Sequence, residues 1–321
     1  MPKEMNRRDF VKTTTGVVAG LGGLARRAAA ANAAPPEPAA RQKTVEWPFY
    51  VFDNGLRTVR TLADKCKLVK DLGYVGIEYG LNHAELPRML EQLDKHGLEL
   101  NAVYTVPLLE NPVDPKLPGS IKRMKGRHTR IEMAIRSKQL KKPSDTKGDA
   151  KAAALLKSVS DACADTGPVV SVYPHTWFWT ERVEDGVRLA KLVGRKNVGT
   201  NFNLVHWKWV EGSPPRRNAA GGPKNTRPLE TILREALPHL FSVTINGLQS
   251  QPKGGRDRIV SLDQGDYDLT AFMALVRKVG YTGPVGLQCY SVKGPSEQHL
   301  KRSMQKWRAI LKKLDRAEKA G

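Results

Sequence analysis

Cysteine is scarce in this 321-residue chain. Its three residues, Cys66, Cys163 and Cys289, make no disulfide framework and show no metal-ligand spacing, so buried free thiols are expected. Long apolar runs are missing too: the best early candidate, residues 13–24, is too short and too rich in glycine and threonine to span a bilayer stably. No glycine-rich dinucleotide or phosphate loop follows the first strand-like segment, and no Gly-x-Ser-x-Gly elbow occurs. A nucleotide-binding open sheet and a nucleophilic triad both lose support. Acidic residues are in short supply, 32 against 53 basic ones, for a formal charge of +21. Such a field favours polyanionic neighbours, namely nucleic acid, anionic polysaccharide or membrane headgroups. It is equally compatible with a solvated surface, because the basic residues are spread and only short runs such as 138–142 and 312–313 cluster.

What is present begins with a leader. Asn6-Arg7-Arg8-Asp9-Phe10-Val11-Lys12 resembles the twin-arginine export consensus, and an alanine tract suited to cleavage follows Arg26-Arg27. A disordered basic tail is the plainer alternative. Residues 1–33 carry six basic and two acidic side chains, so about +17 of the charge belongs to the rest of the chain. The expected division is a signal segment at 1–33, a Pro-rich linker at 34–43, one domain at 44–315 and a tail at 316–321. The resemblance implies the twin-arginine machinery as a partner and a periplasmic or otherwise extracytoplasmic destination.

From residue 44 the chain alternates short β-prone runs with amphipathic helical stretches. Strands are expected at 47–52, 74–79, 98–104, 129–135, 169–173, 197–202, 241–245 and 285–289. Helices are expected at 57–72, 83–96, 149–165, from Thr180, at 229–237, 268–279 and 297–315. Eight strand-then-helix units in this length predict a single-domain (β/α)8 TIM barrel, with a doubly wound sheet as the weaker alternative. Asp266 is expected to cap the helix after it, in preference to a metal site among Asp263, Asp266 and Asp268. The irregular basic stretch 212–228 reads as a lid or as disorder.

Residues 169–206 draw most attention, because two consecutive strands end in Tyr173-Pro174-His175 and Asn203-Leu204-Val205-His206. Polar residues at the carboxyl ends of barrel strands are where such folds keep their chemistry. His175 and His206 are the titratable candidates. Trp177 and Trp207 beside them offer faces for sugar C–H groups, or are simply core residues. Glu78, ending the second strand, is a candidate general base or one arm of an ion pair. Glu132 falls inside a strand pattern, with a structural salt bridge expected.

Three stretches carry a family resemblance: 73–78 ending in Glu78, the Asn203-x-x-His206 pattern, and 280–288 with its Gly-Tyr-x-Gly turn into the last strand. They resemble the xylose-isomerase-like sugar phosphate isomerase/epimerase superfamily, which includes divalent-metal AP endonucleases. The resemblance implies a carbohydrate substrate, proton transfer beside a carbonyl, and a divalent metal held by Glu, Asp, His and Glu at strands five to eight. This chain carries Tyr173, Asn203, Thr244 (or Asn246) and Gln288 at those places. Amides keep an oxygen but lose the charge a divalent cation needs. The expectation is therefore a substrate pocket of Tyr173, Trp177, Asn203, Trp207, Asn246 and Gln288, with Glu78, His175 or His206 as catalytic groups and no metal ligands. The cofactor question stays open at this point. The leading reading is an exported isomerase or epimerase with a degenerate metal site; the other is a metal-free, inactive carbohydrate-binding protein. The charge suggests an anionic sugar. A nuclease would need metal-binding His and Glu residues absent from the expected places, so no nucleic-acid partner is expected.

Overall fold

The computed structural model describes residues 46–210, 227–249 and 258–320. The expected signal segment, the linker and residues 212–226 of the basic stretch lie outside the described residues. Eight parallel strands close a barrel: β1 (Phe49–Phe52), β2 (Gly76–Gly80), β3 (Glu99–Thr105), β4 (Arg130–Met133), β5 (Val169–Val172), β6 (Val198–Asn203), β7 (Leu240–Ile245) and β10 (Val285–Leu287). They pair in sequence order and β10 closes on β1, so the expected (β/α)8 barrel is what the chain forms. A hairpin of β8 (Gly247–Gln249) and β9 (Arg258–Val260) stands apart from it.

The helices between them are α1 (Leu62–Leu72), α2 (Leu86–His96), α3 (Leu117–Arg123), α4 (Asp149–Cys163), α5 (Val183–Val193), α6 (Leu204–Val210), α7 (Leu229–Ala236), α8 (Leu269–Lys278) and α9 (Ser296–Ala320). Each strand is covered on its outer face by helices, so its outward residues are apolar: Val51, Ile77, Val103, Ile131, Val172, Phe202 and Val243 are fully buried. Alternate residues point inward. Here the inward set is unusually polar, and that builds the site. The three cysteines are buried free thiols.

Several local expectations are corrected. Asn203-Leu204-Val205-His206 is not a strand tail, because β6 stops at Asn203 and α6 starts on the next residue. Asn203 Oδ1 accepts hydrogen bonds from the Val205 and His206 backbone N–H groups at 3.1 and 3.2 Å, which turns the chain into the helix. The cap of α8 is Asp268, not Asp266: Asp268 Oδ1 accepts from Ala271 N at 2.9 Å. It directly precedes the apolar helical run, where a cap must stand. The closing helix continues past Asp315 to Ala320, held by Arg277, which pairs with Asp315 at 3.0 Å and Glu318 at 3.2 Å.

Candidate functional site at the barrel mouth

Midway along the strands the barrel interior is polar. Glu78 and Glu132, both essentially inaccessible, face inward among Asn101, Arg130, Ser171, Asn201, Ser242 and Thr244. Asn101 donates to Glu78 Oε1. Asn201 Nδ2 and Ser242 Oγ each donate to Glu132 Oε1 at 3.1 Å. The second oxygen of each carboxyl finds no partner among the described residues. Glu132 therefore sits in a hydrogen-bond network rather than in the expected salt bridge.

Burial pushes both carboxyls above the usual range. For Glu78 the next cause is the neighbouring Glu132 charge, and Arg130 opposes the rise at both. Gly286 is required here, since a Cβ would lie 2.5 Å from the Glu78 carboxyl oxygens. Glu78 is thus packed inside the wall, where it can hold a proton.

Over this layer the carboxyl ends of the strands place Phe52, Ala134 and Tyr173, with Tyr104 and Phe178 packed on them. The loop after β5 is braced from several sides. Thr180 Oγ1 accepts from Ile135 N at 3.1 Å, and His175 N donates to Thr180 O at 2.9 Å. Asp185, in the first turn of α5, accepts from Ser144 Oγ, Glu181 N and Arg182 N at 2.7–3.0 Å. That bracing holds a column of rings. Phe178 stacks on His175 at 4.0 Å and 22°, and His175 meets His206 at 4.0 Å. Next, His206 abuts the Trp209 ring edge-on at 5.7 Å, and Trp209 stacks with Trp177 at 6.0 Å.

Both imidazoles are neutral at ordinary pH. Burial pushes His175 down to about 4, despite its bond to Thr176 O, and burial together with the His175 neighbour takes His206 well below the usual value. The Thr176 carbonyl can only accept, so His175 Nδ1 carries the hydrogen in that 2.8 Å bond. His206 is 2% exposed, and neither of its ring nitrogens has a partner among the described residues. Asn246 Oδ1 and Gln288 Oε1, just past β7 and β10, are likewise buried and unpartnered. Orphaned buried polar atoms of this kind call for a ligand or ordered water.

The donor set does not fit a divalent metal. Tyr173 is buried, its phenol raised by burial first and then by the Glu132 charge, so it stays protonated. Its oxygen accepts from Asn203 Nδ2 at 2.5 Å, while Asn203 Oδ1 is spent on capping α6. Thr244 is engaged with Asn201 at 3.0 Å inside the barrel. Among the described residues no group of three His, Cys, Asp or Glu could hold a metal ion. A divalent cation of this family's kind binds by anionic oxygens, and the mouth offers a neutral amide–phenol pair and two imidazoles, with no carboxylate beside them among the described residues to complete a set.

Of the sequence candidates, His175, His206, Tyr173 and Asn203 come together in direct contact, and Asn246 and Gln288 stand on the same rim. Trp177 joins through Trp209. Trp207 stands on another side of α6, against Phe202, in a small cleft that Pro174 and Glu184 also line. Glu78 lies inside the barrel. Sequence reasoning missed Tyr104, whose ring meets Tyr173 edge-on at 5.0 Å, and Arg136, whose guanidinium lies 5.1 Å over the Phe178 ring. Both stand at or just beyond strand ends, which is the signal that could have found them.

A family model described as xylose isomerase-like TIM barrel matches residues 66–310. No curated protein sequence matches the chain. Among solved structures, the IOLI protein with a bound zinc atom aligns with TM-score 0.64 at 16% identity, over 83% of this chain and 99% of that one. A 3-keto-D-glucoside 4-epimerase from E. coli aligns with TM-score 0.62 at 14% identity, over 82% and 100%. D-psicose 3-epimerase with D-tagatose, from Clostridium cellulolyticum H10, gives 0.57 at 14%, over 84% and 96%. At such identities the structural likeness is one of fold, while the family match spans the barrel from α1 to α9: the chain is a member of the xylose isomerase-like TIM barrel family.

Proposed function

We propose that the barrel mouth binds a carbohydrate through neutral hydrogen bonds and aromatic faces, without a divalent metal. The observation that carries this reading is the set of buried, unpartnered polar atoms on His206, Asn246 and Gln288 beside a wall of rings. A neutral imidazole presents one donor and one acceptor, and amide oxygens accept; sugar hydroxyls satisfy both kinds. The two named epimerases act on sugars, which agrees with this reading. The twin-arginine-like leader suggests an exported, extracytoplasmic protein, with the barrel as the mature domain after the 34–43 linker.

Trp177 supports a binding role from a different direction. It is 45% exposed and sits at φ +68°, a left-handed conformation that a bulky residue rarely adopts. Its backbone N–H is held by Glu181 at 2.9 Å. The indole stacks on Trp209, and the two rings together present a half-exposed face at the mouth that suits a sugar. Trp177→Gly is expected to leave stability within about 1 kcal/mol of the parent, because glycine adopts this conformation freely. It should weaken sugar binding about tenfold, the scale of one lost aromatic contact. Denaturant titration and calorimetric binding measure the two effects. Unchanged affinity would remove Trp177 from the site.

Isomerisation or epimerisation is the second reading. His206 favours it, since its free lone pair is an acceptor for a substrate proton and the Tyr173 phenol beside it is an acid. One experiment separates the two. Ketoses, aldoses and oxidised sugars are incubated in D2O with metal-analysed protein prepared with Mn, Zn or Mg present. Deuterium entering the carbon next to the carbonyl establishes turnover. Binding with no exchange establishes a binding protein. Stoichiometric metal lost on Asn203→Ala would overturn the metal-free site.

A further inference from the structure

Among the described residues two aromatic side chains are left exposed, and both stand at the carboxyl end of the barrel. Trp177 is one. Tyr290, 59% exposed and just past β10, is the other. Both are presented by the same kind of turn. His175 O accepts from Phe178 N at 3.0 Å, and Cys289 O accepts from Val292 N at 3.0 Å, which closes two four-residue turns. The third place of each holds a residue at φ +68°, Trp177 in one and Ser291 in the other. Asn54 Oδ1 anchors the second turn by accepting from Cys289 N at 3.0 Å. The Arg57 guanidinium lies 5.5 Å from the centre of the Tyr290 ring, so one face is braced and the other is open. A single exposed aromatic needs no explanation, but two at the ends of one stretch of rim do.

That stretch is set by the order of the strands. Between β10 and β5 stand only β7 and β6. Gly286 pairs with Thr244 and Thr244 with Asn203, so Gln288 and Asn246, each two residues further on, leave the barrel at one level beside the start of α6. Gln288 N donates to Ile245 O at 2.9 Å, which keeps the two chains together there. The orphaned atoms of Gln288, Asn246 and His206 therefore follow one another in strand order between Tyr290 and Trp177. Three strand spacings make an arc of about 14 Å, before the reach of the two end turns is added. A pyranose ring is about as long as one such spacing, so a single sugar cannot lie against both aromatics, and a chain of about three or four can. Polar atoms rather than apolar side chains fill the interval, which suits linked sugars better than an apolar peptide.

We infer that the mouth takes a linear oligosaccharide lying along the β5–β6–β7–β10 arc, with Tyr290 as the stacking platform at its far end. This rests on the carbohydrate reading above and names the substrate class within it. One end unit meets the Trp177–Trp209 face, the middle units meet the His206, Asn246 and Gln288 atoms, and the other end unit stacks on the open face of Tyr290.

The test uses the full chain and neutral β-linked glucose, mannose and xylose series, each running from the single sugar to the pentasaccharide. Affinities are measured by calorimetry for the parent, Tyr290→Ala, Tyr290→Phe and Leu192→Ala, the last an exposed apolar residue on α5 away from the mouth. In one series or more the parent should bind the tetrasaccharide about tenfold more tightly than the single sugar, the scale of one added aromatic contact. A fifth unit should add nothing. Tyr290→Ala should bring that ratio close to one, Tyr290→Phe should keep it, and Leu192→Ala should leave it intact. A flat length profile in all three series overturns the inference and leaves carbohydrate binding standing. So does a gain that survives Tyr290→Ala. No binding of any probe overturns both.

Discussion

Glu132→Gln is expected to make the protein more stable than the parent at pH 8, by about 1–3 kcal/mol, because a neutral amide removes the cost of burying an ionisable carboxyl. Glu132 uses one oxygen to accept from Asn201 and Ser242 and leaves the other unpartnered. Glutamine keeps the accepting oxygen and puts a neutral amide where the orphan stands. The sign with pH follows from linkage. Both Glu132 and Glu78 are raised in the folded state, so between the ordinary carboxylate range and their folded values the native protein holds more protons than the unfolded chain. Their contribution is complete below the ordinary value and is lost as pH rises. The glutamine advantage should therefore grow from pH 5 to pH 8, the more so because removing the Glu132 charge also relieves Glu78. His175 and His206 act in the opposite sense: lowered in the folded state, they cost stability as pH falls below the usual imidazole value. Glu132→Ala, which takes one hydrogen bond each from Asn201 and Ser242 and leaves a cavity, should lose about 2–4 kcal/mol. Denaturant titrations at pH 5, 6.5 and 8 decide it, and a glutamine variant weaker than the parent at pH 8 would be the wrong result.

The larger functional loss is expected from Asn203→Ala. One side chain starts α6 through two backbone N–H groups and holds the Tyr173 hydroxyl from the other end of its amide. Losing the cap costs about 1 kcal/mol, and the stranded buried phenol adds about 1–3 kcal/mol. Stability should fall by about 2–4 kcal/mol. Binding should fall further, to below detection for sugars the parent holds, because the first turns of α6 carry His206 and Trp209. Near-ultraviolet circular dichroism should lose the signal of the Trp177–Trp209 pair at temperatures where the barrel remains folded. Asn203→Asp keeps the capping oxygen and lets the Tyr173 O–H reverse to donate, so its stability should stay closer to the parent. An alanine variant with parental affinity and an unchanged aromatic spectrum would show that Asn203 does not organise the mouth.

The barrel was legible because its strands are short apolar runs separated by helical periodicity, a pattern that only a parallel sheet with crossover helices satisfies. What escaped was short or local. α6 is seven residues of mostly β-branched and aromatic character joined to β6 without a break, so its pattern read as strand. Only the capping side chain of Asn203 marks the boundary. α3 carries Pro118 and Gly119 inside seven residues, and its helical period cannot be read. The cap of α8 was misplaced by two positions because three aspartates stand within six residues. The mouth was legible as far as strand ends go: Tyr173, His175 and Asn203 stand where the order of strands puts them. The partnership of Arg136 with Phe178 joins the ends of two different strands, and no spacing in a single chain announces it.

The ring column bears on how the site can change. Phe178, His175 and His206 pack at 4.0 Å, too close for one ring to move without the next. Substitutions along it will not act independently: the effect of altering His206 will depend on which residue stands at 175, and the effect at 175 on Phe178 and Arg136. Measured in double-mutant cycles, these four positions should couple strongly with one another and weakly with the polar layer at Glu132. Variation at the mouth is then confined to paths that replace neighbours together, and single-residue drift is filtered out before specificity changes.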